Sequence, residues 1–300
     1  MVVELSGSVD MFKYVQELFE QAAMTALNAV PKTAFSKALG WGAEVRGITP
    51  IHRAAINVFA RIYSINEHEV ERKLNTYDTL NEFFTRRLRA GARITAEGDD
   101  IVTSPADGIL TQIGTAEQTN LLQAKGLTYD LAALLGSDQD AQWFQDGSYV
   151  TIYLRPHDYH RVHSPVTGVV QQVRWIPGDR FPVVPMAVHR RENLYSRNER
   201  LVVILDTRMG RVAVIMVASI GVGNMSLTWD DHFRTGDRNH HVDSGRLQHL
   251  EGYRLTKGDE LGVFHLGSTV IVLFEQARVA FQRMAPGARL FVGLPLAEVR

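Results

Sequence analysis

The stretch Ser104-Pro105-Ala106-Asp107-Gly108-Ile109 recurs sixty residues later as Ser164-Pro165-Val166-Thr167-Gly168-Val169. Each copy leads into a hydrophobic run through a glycine, which is the pattern of a turn that opens a strand. The turns Pro177-Gly178-Asp179 and Lys257-Gly258-Asp259 also match each other. The repeat therefore predicts a duplicated β unit, folded as a barrel or a sandwich with internal pseudo-symmetry.

Short segments rich in β-branched residues, separated by Gly, Pro and Asp, continue this pattern after Ile101. They predict strands over 148–154, 168–175, 201–206, 211–219 and 269–274. Residues 230–260 are polar and are interpreted as a long loop or an excursion from the domain. The sequence thus predicts a mainly antiparallel, β-rich domain over 101–300.

Amphipathic helices are predicted before this domain. Apolar residues at three- and four-residue spacing occupy 11–23, a second helix is expected from Thr49-Pro50, and a third from Thr79, which opens a capping-box sequence. The apolar side chains of the second helix are Ile51, Ala54, Ala55, Val58, Phe59 and Ile62. The expected fold class is α+β, with N-terminal amphipathic helices over 1–100 ahead of the β barrel or sandwich.

Charge is unevenly distributed in the helical region. Segment 31–61 carries five basic residues and one acidic residue, with Trp41 in its middle. One interpretation is an amphipathic surface that lies on anionic lipid. The other is a set of helices that pack on the protein and keep their charges in water. Over the whole chain, 32 Lys and Arg against 33 Asp and Glu argue against a general nucleic-acid binder.

Composition excludes several classes of protein. The chain has 300 residues, of which 45% are hydrophobic, and no cysteine, so it can bury a core but cannot form disulfides, thiolate nucleophiles or zinc sites with Cys ligands. Its longest apolar run is well short of the roughly 18 residues that span a bilayer. Acidic residues near the N-terminus replace the positive charge of a secretory signal. We therefore expect a cytosolic protein or one attached to the cytosolic side of a membrane.

Three histidines lie close together at His157, His160 and His163. Their spacing leaves a metal site, acid–base catalysis and a structural role open. A metal site is the least favoured, because Pro156 and Pro165 oppose the helix that would align the imidazoles and no carboxylate stands at the usual zinc spacing. Acid–base catalysis and a structural role are equally supported by the spacing.

Two further side chains are candidates for chemistry. Asp107 precedes a glycine in the first copy of the repeat, where the second copy has Thr167, and an Asp in a turn usually bonds only backbone. Ser268 follows Leu266-Gly267 at the entrance of the predicted strand over 269–274. Beside a His and an Asp, such a serine can be activated as a nucleophile. The chain has neither a Gly-x-Ser-x-Gly elbow nor a glycine-rich phosphate loop.

Taken together, these motifs resemble those of the bacterial, membrane-associated phosphatidylserine decarboxylases. The resemblance covers nearly the whole chain except 230–253. It is carried by Thr79-Leu80-Asn81-Glu82-Phe83-Phe84, Ser104-Pro105-Ala106-Asp107-Gly108, Gln123-Ala124-Lys125-Gly126, the run from Tyr153 to His163, Pro177-Gly178-Asp179, Arg197-Asn198-Glu199-Arg200 and Leu266-Gly267-Ser268-Thr269. The Asp-Tyr-His-Arg-Val-His run and the Leu-Gly-Ser-Thr near the C-terminus are highly specific as a pair.

The resemblance implies a self-processing enzyme. The proenzyme would be cut between Gly267 and Ser268, and Ser268 would become a pyruvoyl group, the covalent cofactor, at the start of a short α chain. The α chain and the β chain of 267 residues would stay together as a heterodimer or a higher oligomer. Asp107, His163 and Ser268 match the family's triad for the cut, and His160 matches the residue implicated in decarboxylation.

The implied reaction converts phosphatidylserine to phosphatidylethanolamine. The pyruvoyl ketone would form a Schiff base with the substrate amine and withdraw electrons as carbon dioxide leaves, and no metal is expected. A lipid substrate favours an anionic membrane surface as the partner of the helical region, at the cytoplasmic side of the cell membrane. The rival interpretations are a non-catalytic β-barrel module that binds lipid or protein and a metal-dependent enzyme that uses the three histidines.

Overall fold

The computed structural model describes residues 49–124, 126–219, 224–230, 233–235, 245–265 and 268–300. The helix predicted over 11–23, most of the basic segment 31–61 with Trp41, and Gly267 of the expected cleavage site lie outside these residues.

Two helices precede the sheets. Helix α1 spans Thr49–Ile62 and α2 spans Leu80–Phe84, so both predicted starts are confirmed. Thr79 caps α2, since its hydroxyl accepts a hydrogen bond from the N–H of Glu82 at 3.1 Å. A 3₁₀ turn at Leu74–Thr76 lies between the two helices. Together they enclose a small core of Ile56, Ala60, Val70, Leu74, Tyr77 and Phe83.

Helix α1 leaves most of its apolar side chains in solvent. Ile56 and Ala60 are buried, whereas Ile51, Val58 and Ile62 are 65%, 56% and 70% exposed. The exposed residues are spaced so that they share one side of the helix. We call Ile51, Ala54, Ala55, Val58 and Ile62 the exposed face of α1.

The remaining elements follow in chain order. The further helices are α3 (Leu131–Leu135), α4 (Asp138–Trp143), α5 (Pro185–Val188) and α6 (Leu194–Arg197). The strands within the described residues are β1 (Ile101–Thr103), β2 (Gly108–Thr115), β3 (Asn120–Ala124), β4 (Leu127–Asp130), β5 (Ser148–Leu154), β6 (Arg161–His163), β7 (Gly168–Ile176), β8 (Arg200–Thr207), β9 (Gly210–Ala218), β10 (Met225–Leu227), β11 (Gly245–Arg246), β12 (Arg254–Leu255), β13 (Glu260–Phe264), β14 (Ser268–Phe274), β15 (Val279–Phe281), β16 (Arg289–Leu290) and β17 (Pro295–Val299). The five strands predicted from sequence are confirmed to within two residues at each end.

The strands form open antiparallel sheets. The largest has the order β11-β7-β8-β9-β14-β5-β2-β16, with β12 also on β7. Two three-stranded sheets have the orders β1-β17-β15 and β10-β13-β6, and β3 pairs with β4. The predicted barrel is wrong for the described residues, because the large sheet ends at β11 and β16, which pair over only two residues each. The coarser prediction, an antiparallel α+β fold, is confirmed.

The large sheet is covered on both faces. One face packs on the two three-stranded sheets, and the other packs on the short helices α3 to α6. Alternate residues of a strand point to opposite faces, so Val270 and Val272 enter the first core and Ile271 and Leu273 the second. This explains why the sequence of β14 is continuously apolar instead of alternating.

The described part of the polar segment 230–260 contains regular secondary structure. Its described part contains β11, β12 and a 3₁₀ turn at Gln248–Leu250. Both strands add to the end of the large sheet by pairing with β7. Of the two interpretations, an excursion describes these residues better than a loop, and its strands are too short to show a period in the sequence.

The repeated motif also repeats its backbone contacts. The N–H of Thr103 donates to the carbonyl of Pro165 at 3.0 Å, and the N–H of His163 donates to the carbonyl of Pro105 at 2.8 Å. Each bond joins equivalent positions of opposite copies. The two copies are therefore joined by reciprocal backbone hydrogen bonds and related by a pseudo-two-fold axis.

The strands that follow the two copies share the same irregularities. Strand β2 shifts register on β5 between Leu110 and Gln112, and β7 shifts on β8 between Val170 and Gln172. Both copies need glycine as the first residue of the strand, because a Cβ at Gly108 would lie 2.5 Å, and one at Gly168 2.8 Å, from a carbonyl oxygen of the neighbouring strand. The two copies thus share the motif, its glycine and the register shift in the strand that follows.

Candidate active site

Ser268 is the first residue of β14 and is fully buried. It lies between Leu154 of β5 and Ala218 of β9. Its side chain shares a face with Val270 and therefore points toward the core between the sheets. Its Oγ has no hydrogen-bond partner among the described residues. An unpaired buried hydroxyl costs about 1–3 kcal/mol, so this one requires an explanation other than stability.

Asp107 is buried in the turn between β1 and β2, with an exposed fraction of 3%. Both carboxylate oxygens accept hydrogen bonds from Arg93, with Nε at 3.0 Å from each and Nη2 at 2.5 Å from Oδ2. Oδ1 also accepts from the N–H of Val292 at 2.8 Å. The carboxylate is thus held by one cation and one backbone donor.

The second copy of the repeat has the backbone bond but lacks the charge. There the hydroxyl of Thr167 accepts from the N–H of Lys257 at 3.0 Å. The two backbone donors are equivalent, since the segments that carry them pair with Gly108 and Gly168 in the same register. A neutral hydroxyl therefore suffices to hold this turn, and the negative charge of Asp107 exceeds what the turn requires.

Arg93 links Asp107 to the helical region. Its Nη1 lies 2.9 Å from Oε2 of Glu69, and its guanidinium lies 4.8 Å from the ring centre of Phe291. Burial lowers the pKa of Arg93, but the hydrogen bonds that it donates to Asp107 and Glu69, together with the charges of those carboxylates, outweigh burial and raise the pKa overall. Arg93 therefore remains charged beside Asp107.

His163 ends β6, and both of its ring nitrogens are engaged. Nδ1 lies 2.7 Å from the carbonyl oxygen of Gly258, which can only accept, so Nδ1 carries the proton. Nε2 lies 3.2 Å from the hydroxyl of Tyr159 and accepts from it in the neutral ring. The nitrogen with the lone pair is thus Nε2, the atom that a general base needs.

Electrostatics keep His163 neutral near pH 7. Burial lowers its pKa, and the carbonyl of Gly258, Glu260 and Asp107 offset only part of that effect. Asp107 thus acts on His163 through its charge. Within the described part of the chain, no hydrogen bond joins Asp107 to His163 or His163 to Ser268, so the structure relates Asp107 to His163 through charge alone and shows no contact of either with Ser268.

His160 is fully buried and lies flat on Phe84, with ring centres 4.0 Å apart. Its Nε2 donates to the carbonyl of Arg155 at 3.0 Å, which leaves Nδ1 as an acceptor without a partner among the described residues. Burial, followed by the charge of Arg86, lowers the pKa of His160 to about 3. The ring is therefore a neutral imidazole with one buried, unused lone pair.

His157 belongs to a different environment. Its ring stacks on Tyr63 with centres 4.8 Å apart, and Nε2 lies 4.0 Å from Asp158. Among the described residues no group of three His, Asp or Glu side chains is arranged to hold a metal ion. His157, His160 and His163 thus have separate partners.

Two further buried or half-buried residues, Tyr159 and His265, were not predicted from the sequence to have a functional role. The hydroxyl of Tyr159, a residue of the quoted motif, lies 3.2 Å from the unprotonated Nε2 of His163. His265, two residues before Gly267, lies 3.1 Å from the hydroxyl of Ser226 and 2.9 Å from Arg234. Burial, followed by Arg234, lowers the pKa of His265 to about 3. Its proximity to Gly267 in sequence was the only available signal.

Comparison with known proteins points to one family. The sequence profile of the family described as phosphatidylserine decarboxylase matches residues 80–298. That range contains Asp107, His160, His163 and Ser268.

Individual bacterial proteins match over most of their length. The phosphatidylserine decarboxylase proenzyme of Anaeromyxobacter sp. strain K is 40% identical over 278 residues, which cover 91% of this chain and 96% of that protein. The proenzyme of Myxococcus xanthus is 37% identical over 87% of this chain and 92% of its own length. That of Vibrio cholerae is 39% identical over 90% and 95%.

Proposed function

The chain belongs to the phosphatidylserine decarboxylase family of enzymes, and from this premise we propose that it decarboxylates phosphatidylserine to phosphatidylethanolamine with a pyruvoyl group made from its own Ser268. The observation that carries the proposal is the fully buried hydroxyl of Ser268, which has no partner among the described residues. The names of the relatives as proenzymes support a maturation step.

Maturation begins with the transfer of a proton from Ser268. His163 accepts it at Nε2, since Nδ1–H is fixed by Gly258, and the negative charge of Asp107 favours the imidazolium that forms. Tyr159 must release Nε2 or relay the proton, because its hydroxyl occupies that atom.

The oxygen of Ser268 then adds to the carbonyl carbon of Gly267, and the amide becomes an ester as the nitrogen leaves and is protonated. Elimination breaks the ester, so Gly267 ends the β chain as a carboxylate and residue 268 becomes dehydroalanine. Addition of water and loss of ammonia leave the pyruvoyl group at the start of the 33-residue α chain, residues 268–300.

The residues around Ser268 fit such a group. Ser268 Oγ and His160 Nδ1 are both buried polar atoms without partners in the described residues, as expected where a small polar group and its substrate are bound. When formed, the pyruvoyl ketone supplies the electron sink for the loss of carbon dioxide.

His160 moves the proton in this proposal. With a pKa of about 3 it has no proton to spare at Nδ1 at neutral pH. It therefore first accepts one there from the substrate ammonium, and later returns it to the carbon that has lost carbon dioxide. The binding of the substrate carboxylate near the ring would raise the pKa of His160 and make this transfer easier.

We further propose that residues 1–100 attach the enzyme peripherally to anionic membrane at the cytoplasmic side. None of the helices in the described ranges is both long and apolar enough to cross a bilayer. The exposed face of α1 supports attachment, because Ile51, Val58 and Ile62 are more than half exposed and would be buried at a lipid interface.

Substitution of Ser268 tests the central part of the proposal. Ser268→Ala should remain a single chain of 300 residues and release no carbon dioxide from phosphatidylserine vesicles. Ser219→Ala is the matched control, since Ser219 is also buried and follows Ala218, the β9 partner of Ser268. Full activity of an uncut Ser268→Ala chain would contradict a pyruvoyl group at this position.

A further inference from the structure

The backbone N–H of Ser268 points to β5 and not to β9. Ser268 is the first residue of β14, which lies between these two strands. Its facing residue on β9 is Ala218, whose N–H donates to the carbonyl of Glu199 and whose carbonyl accepts from Nδ2 of Asn198, both at 2.8 Å. Facing residues of antiparallel strands exchange either both backbone hydrogen bonds or none. Ala218 is thus directed away from β14, and the N–H and carbonyl of Ser268 are directed to the other side.

On β5 the facing residue is Leu154, and its backbone groups point to β14. The preceding residue, Tyr153, directs its carbonyl oxygen to β2, where a Cβ at Gly108 would lie 2.5 Å from it. Consecutive residues of a strand direct their backbone groups to opposite neighbours, so the carbonyl of Leu154 faces β14. In this pair the N–H of Ser268 therefore donates to the carbonyl oxygen of Leu154. Neither residue has any exposed surface, so solvent does not compete for the bond.

The proposed maturation removes this donor. The nitrogen of residue 268 leaves as ammonia, and the oxygen that replaces it on the α carbon carries no hydrogen. The carbonyl oxygen of Leu154 then has no hydrogen to accept from residue 268. A buried acceptor that loses its donor is unfavourable. The matured site therefore holds an unsatisfied acceptor directed at the atom that the substrate amine must replace.

We propose that the main-chain carbonyl oxygen of Leu154 binds the substrate nitrogen during turnover, in the position that the N–H of Ser268 holds in the uncut chain. This role rests on the proposed function, because it requires the substrate amine to condense with the ketone. The ammonium group brings three hydrogens, of which two leave with the ketone oxygen as water and one stays on the nitrogen with the positive charge. That N–H donates a charge-assisted hydrogen bond to Leu154. Leu154 thus touches the reacting nitrogen through its backbone.

The carbonyl of Leu154 also distinguishes between amines that react with the same ketone. A primary amine such as that of phosphatidylethanolamine keeps one hydrogen on its nitrogen after condensation, and it has no carboxylate to lose. Methoxyamine also condenses with ketones, but its nitrogen then carries neither a hydrogen nor a charge. Only the first of these two probes can donate to the carbonyl oxygen of Leu154.

The test follows the carbonyl carbon of Leu154 by NMR, in full-length protein labelled with ¹³C at leucine carbonyls and ¹⁵N at arginines. Leu-Arg occurs at 88–89 and at 154–155, so only these two peptide groups give a joint signal. Leu88 is the internal control, because it lies outside β14 and the strands that pair with it. Arg89→Lys, at an exposed position, removes the Leu88 signal and thereby assigns both.

Uncut Ser268→Ala keeps its backbone N–H and should show a hydrogen-bonded Leu154 carbonyl. In the matured wild-type chain the Leu154 signal should move upfield, because the donor is lost. Short-chain phosphatidylethanolamine should move it back downfield, whereas methoxyamine should leave it upfield. The Leu88 signal should stay constant in all four samples.

Mass spectrometry of the chain of residues 268–300 in the same samples separates this role from the proposed function. It detects the methoxyamine adduct directly and the phosphatidylethanolamine adduct after reduction with cyanoborohydride. If both adducts form but the Leu154 signal does not return with phosphatidylethanolamine, or returns equally with methoxyamine, the role of Leu154 is overturned and the proposed function stands. A chain that forms neither adduct would overturn both.

Discussion

The two copies of the repeat hold the same backbone with different side chains. In the first copy a carboxylate, Asp107, accepts the N–H of Val292, and in the second a hydroxyl, Thr167, accepts the N–H of Lys257. Only the first requires a cation, Arg93, to neutralise it. Because the N–H of each turn is bonded equally well in both copies, the comparison separates what the turn needs from what the proposed chemistry would use.

The two copies also interact with each other, through a backbone hydrogen bond and through the charge of Asp107. His163 directly precedes the second copy, and its backbone N–H donates to the carbonyl oxygen of Pro105 in the first copy. The charge of Asp107 in one copy therefore acts on the imidazole that belongs to the other. The two copies of the repeat therefore differ in charge, because only the first contains an acidic residue, Asp107, which is bound by an arginine, Arg93.

The largest effect should come from removing that charge. Asp107→Asn keeps an oxygen for the N–H of Val292 but loses the carboxylate, so self-cleavage should slow by about 10²- to 10⁴-fold, because the imidazolium of His163 loses a stabilising negative charge. Gel analysis over time measures this.

The equivalent substitution, Thr167→Asn, also keeps an acceptor and should leave maturation unchanged. Equal slowing in both variants would show that the turn, and not the charge, is what matters.

The next largest effect should separate two histidines. His163→Ala should remain uncut, because the base for Ser268 is lost. His160→Ala should mature and then decarboxylate about 10²- to 10⁴-fold more slowly, the usual cost of one acid–base group. Gels and a decarboxylation assay on the same preparations distinguish the two, and the roles would be reversed if only His160→Ala stayed uncut.

The pH dependence of maturation should show a smaller effect. His163 acts in its neutral form, and its pKa is lowered from the ordinary value of 6.5. Cleavage should therefore keep its rate as the pH falls to 6.5, and decline about tenfold per pH unit only once the pH passes below the lowered pKa. A decline that begins above pH 6.5 would show that the burial of His163 does not govern the step.

The smallest effect concerns the exposed face of α1. Ile62→Ser should weaken binding to anionic vesicles about fivefold, since part of an apolar side chain no longer enters the interface. Ile94→Ser is the matched control, because Ile94 is 79% exposed but lies outside α1. Sedimentation with vesicles measures both, and equal binding of the two variants would contradict attachment through this face.

Sequence patterns predicted the local structure well because local chemistry decides it. The cap at Thr79 and the apolar run of β14 are both set by residues that are close together in the sequence. Closure of the sheet into a barrel is not set locally, because it depends on how many residues of an edge strand such as β16 pair with a neighbour.

The contacts at the site could not be predicted from local patterns, because they join residues that are far apart in the sequence. Arg93 reaches Asp107 across fourteen residues, and His163 meets Gly258 across ninety-five. The resemblance to a family located Asp107, His163 and Ser268 but could not show that Tyr159 occupies the reactive nitrogen of His163. The exposed side of α1 was also not predictable, because the small core beneath it takes Ile56 and Ala60 instead.

The intact mass of freshly purified, active protein tests the central claim most directly. The account predicts two chains, of residues 1–267 and 268–300 of the 300-residue sequence, the shorter of which carries a pyruvoyl group in place of its first serine and resists Edman degradation. Recovery of a single full-length mass from a preparation that releases carbon dioxide from phosphatidylserine would contradict it.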